Sequence, residues 1–99
     1  MDTCREIEIE ASPEDVWEAL ATDEGREAWL EDDPERTIRV ESQEPPHRLV
    51  WWWWTEEQPA TRVELLVVAA PAGARVVVVE SDPSFPLPAL AARFALAYA

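Results

Sequence analysis

Ile7-Glu8-Ile9-Glu10-Ala11-Ser12-Pro13-Glu14-Asp15-Val16-Trp17-Glu18-Ala19-Leu20 changes its hydrophobic period halfway along. Up to Glu10, isoleucines alternate with glutamates, so the predicted strand runs from Arg5 to Glu10 with Ile7 and Ile9 on its buried side. From Val16 onward, Val16, Trp17 and Leu20 fall on one side of a helix of about two to three turns. The residues between the two patterns start that helix. Ser12 offers a hydroxyl N-cap, Pro13 suits the first helical position, and Glu14 and Asp15 face the positive end of the helix dipole. Asp15, three residues after Ser12, approximates a capping box.

The segments on either side extend the pattern. Thr22-Asp23-Glu24 is a second capping signal, and Ala28, Trp29 and Leu30 are read as the apolar side of another short helix. Glu31-Asp32-Asp33-Pro34-Glu35 is a polar, proline-broken surface connection. Thr37 to Glu41 alternates through Ile38 and Val40, Pro45-Pro46-His47 forces a turn, and Leu49 to Thr55 is an aromatic run too short for a helix. Glu56 to Ala60 is a further turn, Arg62 to Ala69 a strand, Pro71-Ala72-Gly73 a turn in which Gly73 takes a positive φ, and Ala74 to Glu80 the last strand. Ser81 to Pro88 reads as a loop, and Ala89 to Ala99, with Leu90 and Phe94 at helical spacing, as a terminal helix. The predicted order of strand, helix, helix, four antiparallel strands and helix is an α+β domain spanning 1–99. The Ala-rich terminal helix is the natural cover for its apolar sheet face.

Composition narrows the function classes. The 99 residues suffice for one core, 47% of them are hydrophobic, and 21 acidic residues against 8 arginines, with no lysine, give a net charge of -13. Such a surface repels phosphate backbones and anionic lipid, so neither nucleic acid nor membrane is an expected partner. The apolar stretch from Phe85 to Ala99 is interrupted by Pro86, Pro88 and Arg93 and is shorter than the roughly 20 residues needed to span a bilayer. Cys4, a single cysteine, has no disulfide partner and no neighbours at zinc-ligand spacing. With a polar start at Met1 to Glu6 that lacks a secretion signal, it leads to a cytoplasmic expectation.

These segments are familiar in combination. Ile7 to Leu20 resembles the opening of the START-like superfamily, where a strand enters a helix through Ala-Ser-Pro-Glu-x-Val-Trp. Thr22-Asp23-Glu24-Gly25, followed by Trp29-Leu30, is similar to the next segment in the branch related to the activator of the Hsp90 ATPase. Glu44-Pro45-Pro46-His47-Arg48-Leu49-Val50 with Trp52 and Trp54 resembles that branch's hairpin, and Thr61 to Leu65 and Arg75 to Val78 resemble its last two strands. The match covers nearly the whole chain in the family's order. It implies a helix-grip fold: a curved antiparallel sheet of about five strands, two short helices after strand one, and a C-terminal helix packed on the sheet. Members of the family usually carry an additional strand pair and a longer terminal helix, so the resemblance implies a trimmed member.

Trp51 to Trp54 must point alternately to opposite faces, Trp51 with Trp53 and Trp52 with Trp54, so only one pair can meet the helix. The other pair is expected either to form a homodimer contact through the sheet or to stand exposed beneath arginine stems. For an inward pocket, the resemblance implies a lining of Trp17, Trp29, Trp53, Leu65, Phe94 and Tyr98, taking an apolar small molecule. His47 sits in a proline turn rather than a pocket, and Glu31-Asp32-Asp33-Glu35 lacks the glycine and spacing of a calcium loop. No catalytic residue, metal site or cofactor is expected. A binding or accessory domain, holding an apolar small molecule or a partner protein against the sheet and C-terminal helix, is the leading expectation. The alternatives are a cyclase- or dehydratase-like enzyme, drawing on Glu64, Arg62, His47 or Tyr98, and a co-chaperone-like or homodimeric interaction module.

Overall fold

In a computed structural model, which describes residues 3–27, 29, 36–80, 85 and 87–95, the change of period at Ala11 is a change of element. Strand β1 (Thr3–Ile9) ends at Ile9, and helix α1 (Pro13–Ala21) begins four residues later. Ser12 is its N-cap: the Asp15 backbone N–H donates to Ser12 Oγ at 3.2 Å, and Pro13 occupies the first turn. Val16, Ala19 and Leu20 are buried, whereas Trp17 is half-buried at the edge of the same core.

One threonine makes the corner that follows. Thr22 closes α1, its hydroxyl donating to Glu18 O at 2.9 Å, and the same hydroxyl accepts from the Gly25 N–H at 2.9 Å in the first turn of α2 (Asp23–Glu27). Here the structure corrects the sequence reading. Helix α2 buries none of its residues and stops at Glu27, so Trp29 is not on a helix face; it sits in the turn beyond and is nonetheless buried. The acidic connection 31–35 lies outside the described residues.

Strands β2 (Thr37–Glu44), β3 (Arg48–Trp54), β4 (Thr61–Ala70) and β5 (Gly73–Glu80) follow as an antiparallel meander. β1 adds to β5, giving the order β1-β5-β4-β3-β2 with β1 and β2 at the edges. β2 runs three residues past the expected Glu41 because its register shifts: Val40 pairs with Trp51 and Ser42 with Val50, leaving Glu41 as the additional residue of a bulge. Alternation holds from Arg62 to Val68 in β4 and throughout β5. Val63, Leu65, Val67, Ala74, Val76 and Val78 are buried on the side that meets the helices.

Helix α3 (Leu87–Ala95) begins two residues before the expected Ala89, because a proline such as Pro88 is tolerated in a first helical turn, where its missing N–H has no partner to lose. It lies against β1, with Leu90 fully buried and Phe94 partly buried against the same core. The sheet with three helices is the α+β arrangement expected, and no described helix is long and apolar enough to cross a membrane.

Gly73 starts β5 at φ 140°, and a Cβ there would lie 2.6 Å from Ala11 O and 2.8 Å from Ile9 O. The β4–β5 turn thus packs backbone to backbone against the exit of β1, which only glycine permits. Gly73→Ala is expected to destabilise the protein by about 1–3 kcal/mol, seen as a lower urea midpoint at unchanged slope; an unchanged midpoint would contradict that close approach.

Candidate functional site

Four consecutive tryptophans on β3 obey the two-residue period. Trp51 and Trp53 are buried on the helix-covered face, Trp52 is 37% exposed on the other, and Trp54 is half-buried. The inward pair joins an aromatic cluster with Trp29 and Phe85. Trp51 and Trp53 ring centroids are 5.6 Å apart, Phe85 stacks on Trp53 at 5.9 Å and lies 6.1 Å from Trp51, and Trp29 meets Phe85 at 5.7 Å. Tilted and offset rings at such distances add about 0.5–1.5 kcal/mol per pair beyond area burial.

The polar edges of these indoles are treated unequally. Trp29 Nε1 donates to Ala19 O at 2.8 Å, tying the turn after α2 to α1. Trp51 Nε1 and Trp53 Nε1 are buried and have no acceptor among the described residues. An unpaired buried donor costs about 1–3 kcal/mol, and here two neighbouring rings each carry one. Cations cover the same rings: the Arg26 guanidinium is 5.6 Å from the Trp51 centroid and that of Arg36 4.2 Å from Trp53. Arg26 is itself positioned by Leu20 O at 2.9 Å and by the Asp23 carboxylate.

Phe85 reaches this cluster from a proline-flanked segment because a buried carboxylate holds it. Glu80 is 1% exposed at the end of β5 and accepts the Phe85 N–H at 3.1 and 3.3 Å. Arg5 Nη2 donates to Glu80 Oε1 at 2.6 Å and to Phe85 O at 2.8 Å, so both backbone polar groups of Phe85 are bound by one ion pair. Arg5 Nε is buried without an acceptor among the described residues.

The opposite face is charged. Arg48 is bound by Glu64 at 2.5 Å and Glu44 at 3.1 Å, Arg62 by Glu41 at 3.1 Å, and Arg75 by Glu8 at 2.7 Å. These pairs share the outer face with exposed Trp52 and exposed Val68. Glu41 Oε1 also accepts the Trp52 indole N–H at 2.9 Å. The Arg62 hydrogen bond first, and the Trp52 one second, hold the Glu41 carboxyl below its ordinary value. Beside them, Arg39, Val40, Glu41, Trp52, Trp54 and Ala60 line an open groove of about 480 Å³.

Of the six residues expected to line a pocket, Trp29, Trp53 and Leu65 lie in the buried core cluster, Trp17 and Phe94 pack against it, and Tyr98 falls outside the described residues. Trp51, Phe85 and Glu80 were absent from that set. Trp51 shares the parity of Trp53 and could have been included; Phe85 and Glu80 depend on contacts that no local pattern announces. Among the enzyme candidates, Arg62 and Glu64 are committed to ion pairs on the outer face and His47 is exposed in its turn. Among the described residues, no group of three or more His, Cys, Asp or Glu is placed to hold a metal ion.

No family model matches the chain, and no curated protein matches its sequence. Solved structures do resemble it in fold. A protein from Rhizobium leguminosarum superposes with a TM-score of 0.76 at 14% identity, over 97% of this chain and 95% of that one. A protein from Rhodobacter sphaeroides gives 0.69 at 22% identity, over 98% and 86%. The Aha1 dimer from Colwellia psychrerythraea, a solution structure, gives 0.65 at 16% identity, over 97% and 89%. Identities this low carry the architecture alone, and it is consistent with a helix-grip, START-like fold.

Two measurements check this geometry. Phe85→Ala is expected to cost about 3–5 kcal/mol, a large part of the roughly 5–15 kcal/mol of a domain this size; a loss below about 1 kcal/mol would mean that the ring does not fill the cluster. Because the folded Glu41 value is depressed, its pairing with Arg62 and Trp52 is complete above the ordinary glutamate value and is lost as pH falls through the depressed one. The Trp52 indole N–H resonance should therefore titrate with a midpoint below the ordinary value, and Arg62→Gln should raise that midpoint.

Proposed function

We propose that residues 1–99 form one cytoplasmic START-like domain of the branch related to the activator of the Hsp90 ATPase, and that it acts by binding rather than catalysis. Its ligand is an apolar small molecule with a hydrogen-bond acceptor, held between the inner sheet face and the C-terminal helix. Trp17, Trp29, Trp53, Leu65, Phe94 and Tyr98 line the site, and Trp51 and Phe85 complete its floor.

The observation that carries this reading is that two buried indole donors on neighbouring rings, Trp51 Nε1 and Trp53 Nε1, have no acceptor among the described residues. A side chain chosen only to fill a core would not need the nitrogen; phenylalanine or leucine fills space without a donor to satisfy. A carbonyl or ether oxygen reaching both N–H groups would remove that cost, and each buried CH₂ of the ligand would add about 0.8 kcal/mol. Catalysis has less support, because the described candidates Arg62, Glu64 and His47 do not converge on the inner face.

A homodimer through the outer face is the rival reading. It draws on exposed Trp52 and Val68 and on the dimeric state of the Colwellia structure. Each chain carries a net charge of -13, so this association should be weak at low salt and tighten as salt screens the repulsion; size-exclusion chromatography at two ionic strengths reads it directly.

Indole N–H resonances of ¹⁵N-labelled protein test the ligand reading. Titration with 2-nonanone is expected to shift the Trp51 and Trp53 signals downfield, while nonane, which lacks an acceptor, should not produce the downfield change. If neither ketone nor other neutral acceptor-bearing compounds move those two resonances, the ligand reading is wrong.

A further inference from the structure

The groove on the outer side of the sheet is a different kind of place from the helix-covered core. It is open to solvent, has a volume of about 480 Å³, and is lined by Trp52, Trp54, Val40 and Ala60 together with Arg39 and Glu41. That volume is within the roughly 300–1,000 Å³ range of small-molecule sites. We propose that this groove is a second binding site, and that it takes a small planar aromatic acid, its ring against Trp52 and Trp54 and its carboxylate on Arg39.

Three features give the ligand's chemistry. The first is the aromatic wall. Trp52 and Trp54 share one side of β3, about 7 Å apart along the strand, and the Trp52 ring is oriented by its N–H bond to Glu41 at 2.9 Å, so a flat surface is already in place. The second is the state of the arginines. Arg5, Arg26, Arg48, Arg62 and Arg75 each grip a carboxylate, whereas Arg39, exposed and directly opposite Trp52 in the register, makes no ion pair among the described residues. In a chain with 21 acidic residues and 8 arginines, a guanidinium left open beside two indoles is unusual. The third is local charge. Glu41, the carboxylate of the groove, is bound by Arg62 at 3.1 Å, so it is already held and leaves the Arg39 guanidinium to an incoming anion. A planar carboxylate matches the guanidinium fork, and an aromatic ring matches the indole faces.

The same charges argue for a small monoanion over larger occupants. An acidic peptide or a second copy would bring many negative charges to a chain that already carries -13. A stable dimer would also need about 800 Å² of complementary surface per partner, whereas the neighbouring outer face is occupied by the Arg48, Arg62 and Arg75 ion pairs. The inference does not depend on the inner ligand site, since the two sites use opposite members of the tryptophan run.

Indole N–H spectra distinguish the sites. 2-Naphthoate is the probe, 2-naphthalenemethanol its neutral counterpart, and Arg39→Gln the variant, an exposed substitution that should leave the melting temperature unchanged. Naphthoate is expected to shift Trp52 and Trp54 saturably while Trp51 and Trp53 stay in place. Arg39→Gln should weaken naphthoate about five-fold, the effect of one exposed charge pair, and leave the alcohol's affinity within about two-fold. The proposal is overturned by the absence of a saturable shift at Trp52 and Trp54, or by Arg39→Gln binding naphthoate as tightly as the parent protein. Shifts confined to Trp51 and Trp53 would also overturn it, while leaving the inner-site reading standing. So would Trp52 and Trp54 signals that move with protein concentration alone as diffusion slows, since a second copy would then occupy the groove.

Discussion

A β-strand cannot place four successive large side chains on one side, and everything distinctive about this protein follows from having tryptophan at all four positions 51–54. Two indoles are forced inward, where the core must make room for them, and two are forced outward, where solvent meets them. A core of aliphatic residues could have been thinner. This one needs Phe85 and Trp29 to fill the angles between the inward rings, and it needs cations over both of them. The outer pair has a different remedy. Glu41 takes the Trp52 N–H and Arg62 takes Glu41, so the exposed indole is tied into a charged surface rather than left as a bare patch.

The inward pair also explains why a fully buried glutamate is kept. Phe85 itself belongs to no helix or strand, and the N–H and C=O of such a residue would be unpaired if it were simply pushed into the core. Glu80 and Arg5 supply an acceptor and a donor at that point, and because Glu80 ends β5 while Arg5 lies in the edge strand beside it, the clamp also fastens the two strands. Buried ion pairs contribute little net stability on their own account. The value of this one lies in fixing where an aromatic ring sits.

How much of this could be read from the sequence depends on whether the determinant is local. The passage from strand to helix at Ala11 was legible because period, cap and proline all act within a few residues, and Gly73 was legible because a tight turn demands one backbone conformation. The alternation that sends Trp53 inward was equally plain. The end of α2 was not: Trp29 follows a capping signal at helical spacing, but its burial comes from donating to Ala19 O on another helix, which requires no helical turn of its own. Nor was the bulge in β2, since Glu41-Ser42-Gln43-Glu44 is polar throughout and has no alternation to betray a slip. Phe85 was hidden most completely, because its anchor Arg5 is 80 residues away in the chain. The resemblance supplied five of the described pocket candidates but could not reveal that Trp51 and Trp53 lack acceptors, which is a property of three-dimensional surroundings and not of residue type.

The bulge at Glu41 has a consequence for how these molecules behave in a crowd. β2 is an outer strand, and an outer strand with an even row of free amides and carbonyls is a template on which a neighbour can lay its own. The additional residue breaks the spacing of that row midway, and Arg39, Glu41 and Glu44 place charge along it. The irregularity that seats Glu41 beside Trp52 therefore also denies incoming chains a continuous ladder, so that a surface rich in tryptophan and valine can stay dispersed instead of growing into ribbons.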